Sequence, residues 1–163
     1  MEIFSDMGQS RVSIGKDNDM KGTELIGTWR LVSCEGHLAD GSTIYPFGKN
    51  PVGRLSYDGA GNFEGQMMNP DRMRFAGNDK SQGTEEELRS TVAGYEAYFG
   101  TYRVREGEDV VVHRVEGALF PNWVEGTQER FFRVEGRMLE LKTGKIAYIG
   151  TTLIVTVVWQ RIA

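Results

Sequence analysis

The chain has few of the residues that staple or break small proteins. Its 163 residues include one cysteine, Cys34, four prolines and two histidines. A lone cysteine cannot close an internal disulfide or build a thiolate metal site. Cys34 is read as a small packing residue, because a reactive thiol needs a lowered pKa that no neighbouring motif announces. His37 and His113 lie far apart and in different contexts, so a histidine-rich metal cluster lacks its ligands. No metal and no cofactor are expected. Walker, Gly-x-Gly-x-x-Gly and Gly-x-Ser-x-Gly loops are all missing, which removes nucleotide cofactors and serine-hydrolase chemistry. No apolar run reaches the ~20 residues that cross a bilayer. The longest, Thr151 to Trp159, has the length of a strand. The net charge is −4 and the basic residues are scattered, so neither a membrane nor nucleic acid is an expected partner.

What is present is glycine, 21 of them, set at a regular beat. Glu-Gly pairs fall at Glu106-Gly107, Glu116-Gly117, Glu125-Gly126 and Glu135-Gly136, a spacing of nine or ten residues. That is the metre of hairpin-connected strands, with glycine supplying the positive φ of tight turns. Asp40-Gly41 and Asp58-Gly59 add further turn signals. Strands are predicted at 25–35, 42–46, 52–58, 62–69, 97–105, 109–116, 126–135, 137–143 and 147–161. One segment departs from this pattern. Thr84 followed by Glu87 reads as a capping box opening a helix over 85–95, with Leu88, Val92 and Tyr95 on one face. The polar loop 69–83 before it is long enough to be a lid or binding loop. Residues 1–22 are polar and aperiodic, without a secretory apolar core, and read as a flexible leader ahead of one domain over 23–163. A cytoplasmic protein is expected. Monomer and homodimer both stay open.

The first strong strand opens with Gly27-Thr28-Trp29, and the last closes with Arg161. In a closed antiparallel barrel the first and last strands are neighbours, so an arginine plane can cover the indole. Such a contact is worth about 0.5–2 kcal/mol. The expected fold is therefore all-β, a closed antiparallel barrel of about 8–10 strands with one short helix.

The chain resembles the lipocalin-like domain proteins of the calycin superfamily over roughly residues 24–161. The resemblance rests on the segments Leu25–Ser33, Pro51–Tyr57, Tyr98–Tyr102, His113–Gly117 and Phe120–Trp123. Trp29 matches the Gly-x-Trp tryptophan of calycins and Arg161 looks like its partner on the terminal strand. The resemblance implies a calycin/lipocalin-like β-barrel with a central pocket for a small, largely apolar molecule. It does not imply one activity, since some relatives look like carriers and some barrels of the superfamily act as cofactor-free cyclases or isomerases.

Candidate site residues come from side chains expected to face inward. His113 stands mid-strand among valines, and a buried imidazole must be hydrogen-bonded or face a pocket. It is either a structural histidine or a pocket base. Arg130 shares a face with Gln128, Phe132 and Val134. It either pairs with a carboxylate such as Glu129 or Glu64, or holds an anionic group of a ligand. Tyr102 is the candidate acid. Tyr57, Met67, Tyr98, Trp123 and Phe132 are expected to line the ligand. The leading reading is a barrel that binds a small hydrophobic or amphipathic molecule. The alternative is a cofactor-independent isomerase, cyclase or dehydratase with His113 as acid/base and Arg130 stabilising an enolate-like charge.

Overall fold

Inward apolar and outward polar side chains alternate along most strands of this protein, and that alternation closes the sheet on itself. The computed structural model describes residues 22–163. The predicted leader therefore lies, apart from Gly22, outside the described residues.

The strands are β1 (Gly27–Leu38), β2 (Thr43–Ile44), β3 (Val52–Tyr57), β4 (Asn62–Met68), β5 (Tyr95–Val104), β6 (Val110–Ala118), β7 (Thr127–Glu135), β8 (Met138–Lys142), β9 (Ile146–Tyr148) and β10 (Thr151–Arg161). The sheet order is β2-β1-β3-β4-β5-β6-β7-β8-β10-β9, and β1 also pairs with β10. Eight strands thus form a closed antiparallel barrel, to which β2 and β9 are short additions. Closure removes the free edges that an open sheet would expose. The seam is long: β1 and β10 pair from Trp29↔Arg161 to Leu38↔Leu153. The strand predicted over 147–161 is divided in two. Ile149 and Gly150 adopt φ of 43° and 74°, and this turn folds β9 back along β10.

The helix α1 (Glu85–Ala93) carries the capping box: the Thr84 hydroxyl accepts from Glu87 N, and the Glu87 carboxylate accepts from Thr84 N at 2.7 Å. It ends before Tyr95 because Gly94 turns its N–H back to Ser90 O and β5 begins. The predicted apolar face is not buried. Leu88 is 44% and Val92 62% exposed. Polar bonds hold the helix instead. Glu87 is buried and also accepts Ala76 N at 2.8 Å, while Ser90 Oγ accepts Met73 N at 3.0 Å. Together they lay the 69–84 loop against α1. Hydrogen bonds from the Thr84 and Ala76 backbone hold the Glu87 carboxyl below its ordinary range.

Strand direction sorts the connections into two ends. The start of β1, the end of β10 and the hairpins after β3, β5 and β7 form the base. The 69–84 loop, α1, the 3-10 turn Pro121–Trp123, β2 and β9 form the rim. At the base the Arg161 guanidinium lies 4.1 Å from the Trp29 ring centroid. Its nitrogens donate to the carbonyls of Ile26 and, at 2.6 Å, Glu24. Trp29 Nε1 donates to Leu25 O at 2.9 Å. Gly27 leaves the room for this knot: a Cβ there would stand 2.6 Å from Arg161 Nη1 and 2.7 Å from the Ala163 carbonyl. Above it Leu31, Leu55, Leu139, Val157 and Trp159 fill the interior. Cys34 is buried beside them, and burial pushes its thiol up to about 12, which makes it inert.

Candidate functional site

Burial differs across the interior of the barrel. Trp29, Leu139, Val111 and His113 have no exposure at all. The inward residues Met67, Glu96, Tyr98, Gln128 and Arg130, by contrast, are only half-buried. The half-buried inward side chains outline the more open part of the interior, the cup. The wall of the cup is uneven. The β8, β10 and β1 side is aliphatic apart from Trp29 and Trp159, whereas β3 to β7 bring tyrosine, phenylalanine and histidine rings and polar groups together.

At the centre of that wall is His113. Its ring stacks on Phe63 with centroids 4.2 Å apart and planes 18° apart. Nε2 lies 2.7 Å from the Tyr57 hydroxyl, and Nδ1 lies 3.3 Å from the Tyr98 hydroxyl. Burial first, and the charge of Arg130 second, push the His113 pKa from its ordinary 6.5 down to about 3. The imidazole is neutral at physiological pH and both nitrogens are engaged. A direct base role for His113 therefore lacks both a free nitrogen and a suitable pKa.

Arg130 projects inward from β7, opposite Val111 of β6. It does not pair with Glu129 or Glu64. Its nitrogens reach the Glu129 carbonyl at 2.8 Å and Gln128 Oε1 at 3.3 and 3.4 Å. The Glu129 carboxylate instead takes Arg105 on the outside. Among the described residues, Arg130 forms no salt bridge. Its field reaches the Tyr98 hydroxyl and the Glu96 carboxyl. Burial raises both groups above their ordinary values, with Arg130 opposing.

Tyr102 occupies a different place from the one its register suggests. It sits opposite His113 across β5 and β6, yet its hydroxyl donates to Asp58 O at 2.8 Å, toward the base. Tyr57 and Tyr98 take the positions beside the imidazole. A bulge contributes to this geometry: the register shifts between Phe99 and Gly100, where a Cβ would stand 2.0 Å from Arg114 O. Only glycine fits so close an approach. Phe132 is buried in the hydrophobic core below Arg130. Met67 pairs with Glu96 on the cup wall. Trp123 meets the Tyr98 ring edge-on, 5.5 Å between centroids, and stands at the lip. Glu96 is absent from the sequence-based candidates, although its spacing of two from Tyr98 puts both on one face.

Two grooves lie elsewhere, on the outer surface. One of about 560 Å³ spans β3 to β6 and is lined by Arg54, Ser56, Glu64, Gln66 and Phe99 among others. The other, about 240 Å³, adjoins it at Arg54 and Gln66. Of their ionisable groups, Arg30, Arg54 and Glu64 are exposed, while Tyr95 and Tyr98 are half-buried, and Tyr98 also belongs to the inward cluster. The inward cluster is the candidate site because burial there has changed the chemistry of its groups. Among the described residues no group of His, Cys, Asp and Glu could hold a metal ion, and no helix is long and apolar enough to cross a membrane.

The chain is 36% identical over 84 residues to a 4'-hydroxy-3'-methoxypropiophenone carrier protein of Aspergillus oryzae, an alignment covering 48% of this chain and 76% of the relative. A crystal structure of a lipocalin-like protein from Bacteroides uniformis superposes with a TM-score of 0.45 at 14% identity, covering 85% of this chain and 99% of the other. The family model for the lipocalin-like domain matches residues 26–162. That match spans the whole barrel, from the strand that carries Trp29 to the strand that ends on Arg161, and the chain belongs to the lipocalin-like domain family.

Proposed function

We propose that this protein is a carrier-type binding barrel that holds a small amphipathic aromatic molecule in the cup. The observation that carries the reading is Arg130: an inward, half-buried guanidinium with no carboxylate partner among the described residues, on a wall of aromatic rings. A guanidinium in such a place gains most from an acceptor oxygen supplied by a ligand. Met67, Tyr98 and Trp123 offer apolar surface around it, the usual mixture of a small-molecule site. The likeness to a carrier of a hydroxyaryl ketone supports the same ligand class here.

The isomerase, cyclase or dehydratase reading finds no comparable support. It needs a base near neutrality, and His113 is neutral, buried and bonded at both nitrogens. A cytoplasmic setting is part of the proposal, supported by the single cysteine, which has no partner for a disulfide.

Titration calorimetry with 4'-hydroxy-3'-methoxypropiophenone tests the reading. One saturable site per chain is the expected result. No heat with this compound or a panel of related hydroxyaryl ketones, together with no bound small molecule in native mass spectrometry, would overturn it.

A further inference from the structure

The hydrogen bonds around His113 have a direction, and that direction reaches the ligand site. The Tyr57 hydroxyl is buried, and its one partner among the described residues is His113 Nε2 at 2.7 Å. Two proton orders are conceivable. If Nε2 carried the ring proton, it would donate to the Tyr57 oxygen, and the buried Tyr57 hydrogen would have no acceptor. If Tyr57 donates to Nε2, the unpaired hydrogen passes instead to Tyr98, which is only half-buried whereas Tyr57 is buried. The neutral ring then carries its proton on Nδ1 and donates to the Tyr98 oxygen at 3.3 Å. The charge of Arg130 also favours electron density on that oxygen. The Tyr98 oxygen thus accepts from His113, and its own hydrogen has no acceptor among the described residues.

We infer that Tyr98 and Arg130 form a two-donor clamp for an acceptor oxygen of the ligand, a ketone carbonyl or its anionic equivalent, and that His113 is a positioning residue that turns the Tyr98 hydrogen into the cup. The inference rests on the binding reading above and adds the chemistry of the ligand's head group. A ligand lacking the acceptor leaves both donors unpaired, and sites built to hydrogen-bond an atom reject analogues without it.

Two measurements test the clamp. Long-range ¹H–¹⁵N NMR of histidine-labelled protein at neutral pH is expected to show His113 protonated at Nδ1 and bare at Nε2. A proton on Nε2 overturns the assigned order whether or not any ligand is known. The second compares 4'-hydroxy-3'-methoxypropiophenone with 2-methoxy-4-propylphenol, in which the carbonyl is a methylene. The ketone is expected to bind about tenfold more tightly. Tyr98→Phe should remove most of that preference. His113→Phe should also reduce it, although residue 113 does not touch the ligand. Equal binding of the two compounds by the wild-type protein would overturn the clamp and leave the binding reading standing. Binding of neither would overturn the binding reading itself.

Discussion

Two arginines enter the interior of this barrel, and they differ in what surrounds them. Arg161 at the base is enclosed by its own chain: two carbonyls take its nitrogens and the Trp29 ring covers its plane. Arg130 on the β7 wall has one backbone carbonyl at 2.8 Å and a distant amide oxygen, and it stands beside a half-buried cup. The same planar group is structural where backbone satisfies it and available to a ligand where donors are left over. The difference separates the end that holds the barrel shut from the wall that meets a small molecule.

The comparison breaks most visibly at the base. Trp29→Ala should cost about 3–5 kcal/mol as a truncation of a buried aromatic ring. Chemical denaturation measures it, and a loss below about 1 kcal/mol would remove the closing role of the base. The next effect belongs to the wall and depends on pH. His113 resists protonation in the folded state, so the unfolded chain binds the extra proton between about 3 and 6.5. This contribution is complete above pH 6.5 and is lost as the pH falls toward 3, by up to about 1.4 kcal/mol per unit. His113→Phe should flatten that part of the acid-stability profile. An unchanged slope would mean that the imidazole is not buried and neutral.

The two regions also differ in how far the sequence reveals them. The base is legible because its signals are local and fixed in kind: a glycine two residues before a tryptophan, and an arginine on the last strand. The inward face of Arg130 is legible too, from the alternation Gln128, Arg130, Phe132, Val134. The bonding around His113 is not. Strand order alone places Tyr102 opposite the imidazole. Twist and the bulge at Gly100 bring Tyr98 there instead, and a bulge of this kind is set by one close backbone approach that no propensity announces. The helix shows the same limit. Its capping box is readable, but its apolar spacing suggests a buried face, whereas the buried residue is Glu87, held by the Thr84 and Ala76 N–H groups of the loop that precedes the helix.

Smaller effects sharpen the contrast. Arg130→Gln should change unfolding stability by no more than about 1 kcal/mol, because the guanidinium loses only one good internal bond. Arg161→Gln should cost more, about 2–3 kcal/mol, since it abandons two carbonyls and an indole face together. Equal losses would erase the distinction between the two sites. Cys34 should give the least response: with its thiol pushed up to about 12 it should resist alkylation in the folded protein and react only once the chain is unfolded.

The most direct test is calorimetric titration of the hydroxyaryl ketone into wild-type protein and Arg130→Gln, both shown to be folded by their thermal transitions. One site per chain is expected in the wild type, and about tenfold weaker binding in the variant. Equal affinity in the two proteins would contradict this expectation, because the wall arginine would then have no more to do with the ligand than the arginine at the base.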